Sequence, residues 1–286
     1  GQGFMTEDDQ PTSKSNPGTI IHPATAAACF GPDPLRLYLT KEIVFGSDGD
    51  FSWPRFEEKY NVDLANNLGN LVNRVTAMAE RYRRGQLASA PLGTRLAVTA
   101  STLTNAYATA MDELALDEAC QTAFRLVDAT NEYIAASEPW ALAKAGRDAA
   151  LDEVLWTAAE GTRLAAVLLS PVMPGSTELI LDRLGAPARR VADLRWSNDA
   201  ALLTSGSRQL IKGEALWPRL EAEASSPVLV TTKETVVTDT PDAPMPVPAA
   251  TPAAAPTPAP AAAAAPAADA RLSIDEFMKV DLRVAT

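Results

Sequence analysis

The strongest constraint on the fold is the stretch at residues 61–84, NVDLANNLGNLVNRVTAMAERYRR. Its apolar residues Leu64, Leu68, Leu71, Val75, Met78 and Tyr82 recur at steps of three and four. That period gathers side chains on one face of an α-helix, and such a face is stable only against a core. The stretch predicts a helix packed through Leu64, Leu68, Leu71, Val75 and Met78. Asn70 and Arg74, four residues apart, stack on one strip beside that seam. An amide next to a guanidinium presents planar hydrogen-bonding groups able to read a nucleobase edge. The same pair also suits an ordinary surface, in which Asn70 caps a helix break and Arg74 pairs with a carboxylate. Spacing alone leaves both readings open.

The rest of the chain is consistent with a mostly α-helical body. Its 286 residues allow one large or two modest domains, at about 100–200 residues each. Helical periodicity returns at residues 94–111, 117–136, 151–169 and 174–184, with Ala123, Phe124, Val127 and Ile134 on one side of the second. A formal charge of −11 argues against a protein that coats nucleic acid by bulk attraction, but leaves room for local basic patches. Cys29 and Cys120 are far apart, so neither a zinc knuckle nor a disulfide framework is encoded, which fits a reducing cytoplasm. No apolar run approaches the roughly 18–20 residues of a membrane span. His22 is the only histidine and no nucleophile elbow accompanies it, which excludes a Ser-His-Asp triad. The chain starts without Met and stops inside an apparent strand, so the expectation is a piece of something longer.

Residues 1–18, GQGFMTEDDQPTSKSNPG, form a loop pattern in which Lys14 stands between the hydroxyls of Ser13 and Ser15. An ammonium flanked by hydroxyls suits a pyrophosphate, and it equally suits a plain solvated loop. Asp33 and Pro34 predict a helix start with Asp33 as N-cap, and Ser52 a second cap after the turn FGSDGDFS. That turn lacks the spacing and bidentate Glu of an EF-hand. Ser137-Glu138-Pro139-Trp140 predicts another helix start, capped by Ser137 and carrying Trp140 at an element boundary. Trp140 is either core or a stacking platform. Residues 224–268, rich in Ala and Pro, predict a tether without fixed conformation, about 3.1 Å per residue where extended. Residues 272–286 alternate apolar and polar around Phe277, Val280, Leu282 and Val284.

The motifs GSDGDFS and DLANNLGNLVNR, in that order and after the loop at Pro11–Ser15, resemble the end of the catalytic domain and the start of the anticodon-binding domain of bacterial methionyl-tRNA synthetases. Ser13, Lys14 and Ser15 match that family's KMSKS loop, while Pro11 and Thr12 stand where the pattern has Lys and Met. LIKGEALWPRLE at residues 210–221 resembles the family's closing motif, with Trp217 in place of Phe. The last residues resemble the opening of the appended tRNA-binding OB-fold.

The resemblance implies five segments: a catalytic-domain end at 1–31, a stem-contact connection at 32–60, a helical anticodon-binding domain at 61–221, a linker at 222–270 and a truncated OB-fold at 271–286. It implies methionine–tRNA ligase chemistry with methionine, ATP and its Mg²⁺ as reactants, Lys14, Ser13 and Ser15 acting on pyrophosphate, and no zinc site in this portion. It also implies that Asn70, Arg74 and Trp140 form the pocket for the first base of a CAU anticodon on tRNA(Met). The setting is cytoplasmic, a homodimer through the OB-fold is open, and this portion alone should not activate methionine. Two alternatives are a related synthetase for Leu, Ile, Val or Cys, and a non-catalytic tRNA-binding or assembly module.

Overall fold

A computed structural model describes the backbone of residues 5–7, 10–11, 23–43 and 49–220, with side chains for 26–43 and 51–220. The chain divides into the units Gly1–Leu229 and Val230–Thr286, and all described residues lie in the first. The predicted KMSKS-like loop at 13–15, the predicted tether at 224–268 and the OB-like end lie outside the described residues.

Ahead of the bundle, strands β1 (Met5–Glu7), β2 (Gln10–Pro11) and β3 (Gly49–Asp50) form a sheet in the order β2-β1-β3, with β1 antiparallel to β2 and parallel to β3. Helices α1 (Pro23–Phe30), α2 (Pro32–Glu42) and α3 (Trp53–Lys59) enclose a small core of Ala26, Leu35, Tyr38, Phe51 and Phe56. Tyr38 meets Phe51 edge to face at 5.2 Å and 74° and Phe56 likewise at 5.4 Å and 67°, the arrangement that opposes a positive ring edge to a negative face, while Phe51 and Phe56 stack at 25°. Asp33 is not the predicted N-cap. It sits in the first turn of α2, and its carboxylate accepts the Ser176 N–H at 2.5 Å, capping a distant helix in trans. Ser52 holds the N-cap position of α3 but makes no side-chain cap bond.

Residues 61–84 are helical, and not uniformly α. Tyr60–Leu68 is a π-helical segment, and α4 (Gly69–Arg83) continues from it. The Gly69 N–H reaches the Leu64 carbonyl five residues back, the wide turn that π segments make. Gly69 is required there: an added Cβ would lie 2.7 Å from that carbonyl and 3.1 Å from the Trp217 ring. Leu64, Leu68, Leu71 and Val75 are buried as predicted, and Met78 packs half-buried against the same core. Leu71 is fully enclosed, so Leu71→Ala should cost about 2–5 kcal/mol, the range for cavities left by a truncated core leucine. Urea unfolding of the two chains would measure it.

The bundle is completed by α5 (Thr94–Asp112), α6 (Leu116–Ser137), α7 (Pro139–Lys144), α8 (Asp148–Leu169) and α9 (Pro174–Arg183). These bounds lie within a few residues of the predicted ones, and Ala123, Phe124, Val127 and Ile134 are all buried. Helix α8 is central, its residues from Val154 to Leu169 buried on every side. Strands β4 (Gln86–Ala88) and β5 (Ser207–Gln209) pair antiparallel, and a short helix α10 (Trp196–Asp199) precedes β5. The returning segment seats Trp217 in the core, and the Asn61 amide clamps Leu220 through both its N–H, at 2.9 Å, and its carbonyl, at 3.0 Å.

A charged cluster ties α2 to the segments that follow. Lys41 bonds Asp63 at 2.9 Å, while Glu42 faces Lys59 at 3.1 Å and Lys41 at 3.3 Å. Burial alone would push the Glu42 carboxyl up, but its bond to Lys59 and the Lys41 charge outweigh this and hold it below its ordinary value. A carboxyl held low in the native state stabilises fully above its unfolded pKa, about 4.3, and loses that contribution as pH falls toward the folded value. The stability gap between the wild type and Glu42→Gln should therefore be widest near neutrality and close on acidification. Urea midpoints across pH would follow it.

Candidate nucleic-acid interface

Asn70 lies exposed on α4, Arg74 is half-buried one turn further on, and neither has a hydrogen bond or ion pair to any described residue. The alternative in which Arg74 is consumed by a carboxylate is therefore not realised among the described residues. Trp140 is 48% exposed at the start of α7. An indole left half in water, one residue from the buried Pro139, is not a core residue. The corner that carries it differs from the predicted one. Ser137 closes α6, and Glu138, in a left-handed conformation at φ 44°, makes the turn with no side-chain cap.

Contacts at both ends of α4 bracket these residues. At the near end Asn67 donates to Asp128 at 2.7 Å and accepts from Asn131 at 3.1 Å, joining the strip that bears Asn70 and Arg74 to α6. At the far end Arg83 bonds Asp152 at 2.5 Å and Asp148 at 2.9 Å, joining α4 to the start of α8. The bond to Asp152 raises the Arg83 guanidinium above its ordinary value. Asn70 and Arg74 fall between residues 67 and 83 in sequence and Trp140 between residues 131 and 148, but these contacts join α4 to α6 and α8 and do not themselves reach Trp140. Arg81, Arg84, Lys144 and Arg147 are exposed on the same two segments, as are Glu80, Glu138 and Asp148. Sequence spacing missed Asn67, Asp128 and Asn131. The polar run Asn66-Asn67 hints that the strip extends beyond Asn70, but its α6 partners lie more than sixty residues away.

Ser13, Lys14 and Ser15 lie outside the described residues. Among the described residues no group of His, Cys, Asp and Glu could hold a metal ion, and no helix is long and apolar enough to cross a membrane.

Residues 1–76 match the family described as tRNA synthetases class I (M), and residues 86–224 match the anticodon binding domain of methionyl tRNA ligase. These matches, together with the helical bundle, place the chain among the class I aminoacyl-tRNA synthetases. The methionine–tRNA ligase of Bacillus subtilis is 33% identical over 300 residues, covering 99% of this chain and 41% of that protein. That of Thermosynechococcus vestitus is 39% identical over 192 residues, covering 65% of this chain and 36% of that protein. A solved structure of Mycobacterium tuberculosis methionyl-tRNA synthetase in complex with methionyl-adenylate is 31% identical with a TM-score of 0.68, covering 76% of this chain and 43% of that one. The chain belongs to the methionyl-tRNA synthetase family, and it spans less than half the length of these relatives.

Proposed function

We propose that this chain is the anticodon-reading portion of a methionine–tRNA ligase, with its active-site loop at one end. The observation that carries the reading is the unpartnered pair Asn70 and Arg74 on one strip of α4, together with the exposed indole of Trp140 at the start of α7. An unstacked RNA base is held by an aromatic face and identified through its polar edge, and these side chains supply both. Trp140 stacks on the first base of a CAU anticodon, Asn70 and Arg74 read its edge, and Arg81, Arg84, Lys144 and Arg147 take the neighbouring phosphates. In the intact enzyme Lys14, flanked by Ser13 and Ser15, neutralises the pyrophosphate leaving ATP and its Mg²⁺ as methionine is activated. The segment boundaries at 31, 60, 221 and 270, the cytoplasmic setting and dimerisation through an OB-fold belong to the same proposal.

A fluorescent anticodon stem-loop tests the reading directly. The chain should bind the CAU loop more tightly than loops changed only at the first base, and high salt should weaken all of them alike. Equal affinity for the four loops would overturn it. The absence of binding at low salt would favour an assembly module.

A further inference from the structure

A cleft of about 490 Å³ opens between the α1–α2 corner, the start of α9 and the returning segment near Trp217. Small-molecule sites have about this size and combine mostly apolar walls with a few convergent polar groups. Phe30, Trp217 and Leu179 supply the walls here, and Asp33, Ser176 and Tyr60 the polar groups. Asp33 is only 7% exposed. Its Oδ2 accepts the Ser176 N–H, while its Oδ1 has no hydrogen bond or ion pair to any described residue. No Lys, Arg or His is among the described residues that line the cleft. Asp33 Oδ1 is not among the buried polar atoms that lack a partner, so it stays open to the cleft, and the single N–H at the positive end of α9 offsets only part of the carboxylate's charge. The Ser176 and Tyr60 hydroxyls are likewise without hydrogen bonds to described residues.

We infer that this cleft binds a monovalent organic ammonium with an aromatic or apolar body, its N–H groups directed to Asp33 Oδ1 and its body between Phe30 and Trp217. Ring faces beside the site add attraction for a cation. A carboxylate-bearing ligand would find no cationic side chain among the described lining residues, so the preference is for amines over amino acids. The inference stands apart from the tRNA reading, since none of these residues belongs to the α4–α7 strip.

The two cysteines make a direct test. Cys29 is exposed and lines the cleft, whereas Cys120 is buried and burial pushes its thiol up to about 12. Modification by iodoacetamide, a neutral reagent, therefore reports on Cys29. With the full chain, tryptamine should slow that modification at concentrations about tenfold below those needed with neutral 3-ethylindole, the margin of one charge-assisted hydrogen bond. Indole-3-propionate should not protect. Asp33→Asn should abolish the preference for the amine. Because Asp33 also caps α9, Leu179→Arg provides a second arm: Leu179 is 55% exposed, so a guanidinium there should leave the unfolding midpoint unchanged and weaken protection by tryptamine about tenfold. Equal protection by all three indoles, protection by none, or undiminished protection in a folded Leu179→Arg chain would overturn the inference.

Discussion

Replacing Glu160 with leucine should lower the unfolding free energy by about 3–5 kcal/mol, the loss expected when one partner of a buried charge network is removed. Glu160 is fully buried on α8, and Arg163 is 1% exposed. The Glu160 carboxylate accepts from Arg163 at 3.0 Å, from the Leu203 N–H at 2.6 Å and from Arg208. Arg163 goes on to the carbonyls of Asp199 and Ala201, and the Arg208 guanidinium lies 4.5 Å from the Trp156 ring centroid. Loss of Glu160 leaves two buried guanidinium groups with no opposing charge. Arg208 Nη1 already lacks a partner, so the site has no spare acceptor to offer. Replacing Glu160, Arg163 and Arg208 together by leucine and methionine should recover much of the loss, because apolar groups of similar volume leave no charge unpaired. Urea unfolding followed by far-UV ellipticity separates the cases. A single variant as stable as the wild type would show that this network does not hold the 199–208 segment to the bundle.

That network was invisible in the linear chain, and the reason is physical. The three-four spacing of Leu64, Leu68, Leu71 and Val75 is a local property, so the helix and its buried face could be read directly. The ends of α5, α6, α8 and α9 were legible for the same reason. Glu160 and Arg163 look from spacing like an ordinary surface pair on a helix. Only the arrival of Arg208 and the Leu203 N–H, more than forty residues later, turns them into an interior cluster. Asp33 was misread in the same way: next to Pro34 it has the composition of an N-cap, but its partner is Ser176. The π turn over Tyr60–Leu68 escapes periodicity because Tyr60, Leu64 and Leu68 fit either winding. In the candidate site, Asn70, Arg74 and Trp140 were named by resemblance. What required the fold is that Asn70 and Arg74 are left without partners among the described residues and that Trp140 stands half exposed.

Trp140→Ala should weaken binding of the CAU stem-loop by about 1–3 kcal/mol, the usual loss when a base-stacking platform is removed. The side chain is 48% exposed and makes no contact that the core depends on, so the variant should unfold with the wild type. Its loss should fall similarly on every first base, since each base has a face to stack. Arg74→Ala should behave differently. A guanidinium that reads a base edge contributes to the difference between bases, about 1–3 kcal/mol for a good bidentate contact, whereas one that meets a phosphate weakens all sequences alike. In the variant the affinities for loops differing at the first base should converge, with the CAU loop losing most. Asn70→Ala should shift the same difference by a smaller amount, because a neutral hydrogen bond is weaker than a charge-assisted one. The measurement is a set of binding isotherms for four stem-loops against four proteins at one salt concentration. If Arg74→Ala weakens the four loops equally, Arg74 is a phosphate contact and base identity is read elsewhere on the α4–α6 face. If Trp140→Ala binds like the wild type, the exposed indole serves another partner and the pocket does not include it.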